Sequence, residues 1–209
     1  DTLAGGGQVR LESSDSPTVA AIHDFLAFQR ADHQSPAHAT THSGLVMLLS
    51  YAAGSLDRDL RTLKREVEAY PAEGDLWTEV GGLPNVGGTL ALHLVGNIQY
   101  YVGAVLGKTG YLRDRPAEFA RRHVPRTELV REIEAARDAV SRALSAAPDP
   151  EADYPELIAG KHVTTGEYLM HLTTHFAYHL GQLDYHRRFV TGKQDGVGAV
   201  QPVELRSAR

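Results

Sequence analysis

Helical periodicity, carried by four separate stretches and broken by no useful run of strand alternation, is the feature that most constrains this chain. In residues 43–69, Leu45, Leu48, Leu49, Ala52, Leu56, Leu60, Leu63 and Val67 recur at threes and fours, laying an apolar stripe along one helix face. Pro71 and Gly74 end that stretch. In residues 89–107 the same period is kept by Leu92, Val95, Ile98, Val102, Val105 and Leu106. Gly96 and Gly103 lie inside this second helix, at a cost of about 1 kcal/mol each relative to alanine, which makes sense where a neighbouring helix comes close. The third stretch, residues 127–147, opens with Thr127 as N-cap, turns Leu129, Ile133, Ala136, Val140 and Leu144 inward, and is closed by Pro148 and Pro150. The fourth covers residues 167–189, with Thr164 and Glu167 forming a capping box and Gly192 opening the stop. Four long amphipathic helices predict an all-α chain and a four-helix bundle, with ligand sites between facing helices. The linkers are long, so simple up-down-up-down order is not required.

The fourth stretch, EYLMHLTTHFAYHLGQLDYHRRF, holds His171, His175, His179 and His186. Its core stripe is Leu169, Leu172, Phe176, Leu180 and Leu183, and His171, His175 and His179 each precede a core position. They therefore lie about 100° around from the apolar face, at the margin of a core and facing a cleft. The i,i+4 pair His175 and His179 can present two imidazoles to one point, as in helical zinc sites. The plainer reading is a helix whose polar edge is rich in histidine. One helix face rarely closes a metal site, so a third ligand has to come from elsewhere. His93, on the second helix among apolar neighbours, is the natural candidate.

The rest of the chain bounds the function. A chain of 209 residues suffices for one domain with a proper core, and the net charge of −5 argues against a broad nucleic-acid-binding face. With no cysteine, protein-thiolate catalysis and cysteine-based zinc sites are excluded, and any thiol chemistry has to use a thiol brought by a substrate. No apolar run is expected to reach the roughly 18 residues of a membrane span, no signal peptide is read, and the expected compartment is the cytoplasm. The chain divides into an N-terminal extension (1–42), the helical domain (43–192) and an irregular tail (193–209). Ser16 and Pro17 open a short extra helix with Val19, Ile22, Phe25 and Leu26 on its apolar side, and residues 31–41 read as a polar connection. Trp77 is expected to anchor a loop, and Pro116 to start a short helix. Arg113, Asp114, Arg115 and Glu118 are expected to form a salt-bridge network ordering a loop. Tyr100, Tyr101 and Tyr178 read as packing residues, Asp184 and His186 as solvent-facing, and the Arg121-Arg122 and Arg187-Arg188 pairs as solvated helix ends.

LPNVGGTLALHLVGNIQYYVGAVLG, YLRDRPAEF and HLTTHFAYHLGQLDY follow one another in this chain. In that order they resemble the DinB/YfiT-like superfamily of metal-dependent enzymes, over residues 43–189. The resemblance implies a four-helix bundle of up-down-down-up order that binds one divalent metal ion, zinc or nickel, through His93, His175 and His179. It leaves His171 beside the metal rather than bound to it, and makes Asn97, Gln182 and Tyr178 contacts of the ligands or the substrate. Some members transfer low-molecular-weight thiols, so the implied function is a metal-dependent transferase acting on a small-molecule electrophile such as an epoxide or halide. The alternatives are a non-catalytic metal-binding stress-response module and a metal-hydroxide hydrolase. A homodimer fits such bundles. Three neutral imidazoles would leave a fourth position open, as in catalytic rather than structural zinc sites.

Overall fold

The first apolar stripe forms a longer helix than its periodicity implies. In a computed structural model of the chain, which describes residues 2–3, 6–7, 15, 19–20, 36–205 and 207–208, helix α1 runs Pro36–Glu68. Residues 31–41 read as a polar connection because they carry no apolar period. A proline in the first helical turn is nevertheless compatible with helix, since its missing N–H has no intrahelical partner there. After a 3₁₀ turn at Glu73–Trp77, α2 covers Gly87–Ile98 and continues as a π-helical segment, Gln99–Leu106. The short α3 is Arg115–Ala120, α4 is Arg126–Ser145 and α5 is Thr165–Thr191. A second 3₁₀ turn, Pro202–Glu204, lies in the otherwise irregular tail.

Contacts divide the chain into two units, residues 1–45 and 46–209. In the first, Thr2–Leu3 and Gly6–Gly7 form a two-residue antiparallel ladder, and the Val19 N–H donates to the Asp15 carbonyl. The remainder of the expected N-terminal helix, including Ile22, Phe25 and Leu26, lies outside the described residues.

The second unit is all-α among the described residues, and its four long helices share one apolar core. Leu56, Leu60, Leu63 and Val67 of α1, Leu94 and Ile98 of α2, Ile133 and Ala136 of α4, and Phe176 and Leu183 of α5 are each fully removed from solvent. Helix α2 is the hub, packing on α3, α4 and α5, while its π-helical continuation lies along α4. The two interior glycines mark close approaches, as their cost suggested. A Cβ on Gly103 would stand 3.1 Å from the Ala139 methyl of α4, and one on Gly96 would stand 2.3 Å from the Glu118 carboxylate of α3. The continuous helical run Gly87–Leu106 has a mean hydropathy of 1.2 and is long and apolar enough to cross a membrane, contrary to the sequence expectation. It is 72% buried inside the fold, where a core helix has to be apolar on most sides.

Several local expectations need correction. Thr127 lies inside α4, whose cap position is Pro125 with no side-chain bond. Arg187 is not a solvated helix end: it is 2% exposed and its Nε donates to Glu66 at 2.5 Å, joining α5 to α1. Asp184 is paired with both Arg187 and Arg188. His186 is 1% exposed, with Nε2 donating to the Thr78 carbonyl at 2.9 Å. Its Nδ1 therefore accepts from the Tyr70 hydroxyl at 2.8 Å. Glu66, Thr78 and Tyr70 lie far away in sequence, which is why the α5 register alone could not reveal them as partners of Arg187 and His186. Trp77 is buried against Gly88, as expected of an anchor.

Candidate metal centre

Helix α5 is built as its capping signals require. Thr164 Oγ1 accepts from the Glu167 N–H at 3.3 Å, and Gly192 closes the helix in the left-handed region at φ 66°. With Leu172, Phe176, Leu180 and Leu183 seated in the core, the register turns His175 and His179 toward α2. His93 projects from α2 into the same space. The three imidazoles offer nitrogen atoms that all lie within 4.8 Å of one another. Their rings stand edge to face, with centroids 5.4 Å (His93–His175), 5.2 Å (His93–His179) and 4.6 Å (His175–His179) apart.

Hydrogen bonds set two of the three tautomers. His93 Nδ1 lies 2.9 Å from Glu118 Oε2. Burial alone would push the Glu118 carboxyl up, but hydrogen bonds from His93 and Arg113 outweigh it and hold the group below its ordinary range. Ionised, Glu118 can only accept, so His93 Nδ1 carries the proton and Nε2 keeps its lone pair. Arg113 clamps the same carboxylate from the other side, at 2.6 Å and 2.9 Å. His179 Nδ1 donates to Gln182 Oε1 at 2.7 Å, which again leaves Nε2 free. A ligand histidine held by a carboxylate or carbonyl through its other nitrogen is the usual arrangement in zinc sites. His175 has a buried Nδ1 with no hydrogen-bond partner. Its pKa is pushed down to about 4, first by burial and then by the neighbouring His179, His93, His171 and Arg113. An unpartnered, neutral imidazole beside two others with free lone pairs is a donor set that fits a divalent ion.

The three histidines open onto a cavity of about 350 Å³, also lined by Asn97, Tyr101, His171 and Tyr168. Asn97 is buried and its Oδ1 has no partner. His171 is exposed and stacks between Tyr168 and His175 rather than joining the ligand cluster. Gln182 touches His179 as described. Tyr178 is not buried in the core: it is 66% exposed, its ring stands edge-on to His179 with centroids 5.1 Å apart, and it lines a neighbouring cleft rather than this cavity. A further cavity, about 610 Å³, lies between α1 and α4 and touches none of the histidines.

The expected salt-bridge cluster is present in part. Arg113 and Glu118 form it, Asp114 instead caps α3 by accepting from the Ala117 N–H at 3.0 Å, and Arg115 lies over the Phe119 ring. What the sequence reading missed is that Glu118 orients His93. The available signal was Gly96, one turn beyond His93, where the missing side chain admits the carboxylate. Tyr101 packs against the core, as expected, and also lines the cavity from the π-helical segment, with Arg113 over its ring at 5.5 Å. π-helical turns are common at such sites because they shift side chains out of α register. No family model, curated protein or solved structure matches this chain.

Proposed function

We propose that the chain is a metal-dependent transferase of the DinB/YfiT-like type, a four-helix bundle of up-down-down-up order that activates a low-molecular-weight thiol for attack on an electrophile. The observation that carries this reading is the convergence of His93, His175 and His179 on an open cavity, with no fourth ligand joining the cluster among the described residues. A divalent ion held there, zinc or nickel, supplies Lewis acidity enough to strip the proton from a thiol at neutral pH.

The chain's own residues do the rest. Glu118 and Gln182 hold His93 and His179 with Nε2 presented. Arg113 is paired with Glu118 and the ligand imidazoles are neutral, so the charge that the cavity wall adds is that of Arg115, which favours an anionic sulfur over a neutral one. The absence of cysteine leaves no protein thiol to compete for the open position. In the transfer, a carbon–sulfur bond forms as the carbon–halogen or carbon–oxygen bond breaks. The leaving group departs with the electron pair, and the thiol proton passes to solvent or to an alkoxide product. The same wall supports thiol transfer better than hydrolysis, because Glu118, the carboxylate that touches a ligand histidine, is committed to His93 and Arg113. The test is a matrix of cellular thiols against epoxides and alkyl halides, using zinc- or nickel-loaded protein. Thiol-dependent loss of electrophile, abolished in His175→Ala, is expected. Turnover that proceeds equally without thiol, or none with any thiol, would overturn the reading.

A further inference from the structure

A second cleft, also about 350 Å³, adjoins the histidine cavity and shares Asn85 and Leu90 with it. Its wall is of different character: Leu83, Pro84, Tyr178 and Tyr185 surround Gly181 and Gln182. Leu83 is 46% exposed, Tyr178 66% and Tyr185 75%, an amount of uncovered apolar and aromatic surface that is costly to leave in water. The floor is Gly181, in the middle of α5. Nothing lies within 4 Å of the place its Cβ would occupy, and its backbone is not in the left-handed region. A helix-interior glycine that neither packing nor φ requires sacrifices helix stability and keeps the cleft floor flat. The two spaces also meet at one hydrogen bond, because Gln182 of the cleft is the residue that holds His179.

We infer that this cleft takes the apolar arm, an aryl group above all, of the electrophile whose reactive end lies over the three histidines. The inference rests on the metal-centre reading and narrows its substrate class: small polar electrophiles fill only the histidine cavity, while aryl-bearing ones fill both. Tyr178 and Tyr185, seven residues apart on one helix face, flank the arm with their rings. Leu83 and Pro84 cover it from the loop that leads into α2. Gln182 couples the arm's position to the His179 imidazole.

The test is binding, not turnover. The zinc-loaded full chain is titrated calorimetrically with acetohydroxamate and with benzohydroxamate, metal-binding probes that differ in a methyl against a phenyl group. A phenyl ring laying one face on this floor removes about 60 Å² of apolar surface from water, worth about tenfold in affinity. Benzohydroxamate is therefore expected to bind about tenfold tighter than acetohydroxamate. Leu83→Asp and Gly181→Leu, both at exposed positions, are each expected to bring the two constants within about twofold. Val203→Asp, which lines neither space and is 77% exposed, keeps the tenfold ratio. Equal affinities in the wild type, or a ratio that survives both cleft variants, would overturn the inference while leaving the metal centre standing. A chain that takes up no zinc would overturn the metal-centre reading and the inference with it, and a zinc-loaded chain that binds neither probe would overturn the inference alone.

Discussion

Gly96→Ala is a one-methyl change that should detach His93 of the three-histidine cluster from its support. The new Cβ would stand 2.3 Å from Glu118 Oε1, 2.8 Å from Cδ and 3.2 Å from Cγ, so the carboxylate has to move. Glu118 is the far end of a side chain and could swing away in open space, but His93 holds one oxygen at 2.9 Å and Arg113 grips both. Displacement breaks these bonds together. Two effects of opposite sign follow. Alanine favours the helix over glycine by about 1 kcal/mol. Separating a buried ion pair costs about 3–5 kcal/mol, and the Arg113 and Glu118 side chains are only 9% and 6% exposed. The net expectation is destabilisation by about 2–4 kcal/mol, read from denaturant midpoints. Metal affinity, measured by competition against a chromophoric chelator, should fall about 10–100-fold as His93 loses the partner that sets its tautomer. A background in which Glu118→Ala has already removed the clash separates the causes. There Gly96→Ala should stabilise by up to about 1 kcal/mol and leave metal affinity where Glu118→Ala put it. Wild-type metal affinity in the single Gly96→Ala variant would refute this account of Glu118.

Other consequences can be checked on the same material. Gly181→Ala should stabilise by up to about 1 kcal/mol, a rise of about 2–4 °C in melting temperature, since its Cβ meets nothing; a fall would mean the position is packed. Arg187→Met should destabilise by about 3–5 kcal/mol, because Glu66, whose Oε1 already lacks a partner, would be left buried and uncompensated; a midpoint shift under 1 kcal/mol would contradict the pairing. In the metal-free chain the depressed His175 pKa makes the folded state refuse a proton that the unfolded state accepts. Its stability contribution is therefore full above about pH 6.5 and is lost as pH falls toward about 4. Glu66, raised to about 7 by burial, acts with the opposite sign over part of that range, so the observable is the difference between proteins. The stability of wild type minus that of His175→Gln should fall as pH drops from about 6.5 toward about 4, and a difference that does not change with pH would contradict the shift.

The helices, their apolar faces and the three clustered histidines were legible in the sequence because each rests on local spacing. Leu56, Leu60 and Leu63 announce the α1 core face, and His175 and His179 share a face by the i,i+4 rule alone. The choice of His93 needed only the demand for a third ligand. What stayed hidden depends on where distant segments meet. The His93–Glu118 bond spans 25 residues, His186–Tyr70 spans 116, and Arg187–Glu66 spans 121. No helical period encodes such partners, so His186 and Arg187 looked solvent-facing. Tyr101 packs against the core as expected, but its second role on the cavity wall lies on a π-helical turn that no α-helical period reveals. Glycine was the most informative residue for long-range structure: Gly96 and Gly103 announced close approaches without saying to what.

Metal content per chain tests the central claim most directly. Protein purified without a metal-affinity column is analysed for all first-row divalent metals, beside His93→Ala and His179→Ala variants shown to be folded by circular dichroism. About one zinc or nickel ion per wild-type chain, lost in both variants, is the expected result. A folded wild type that carries no metal and takes up none when it is supplied would contradict the account, and would leave His175 and His179 as the polar edge of a helix.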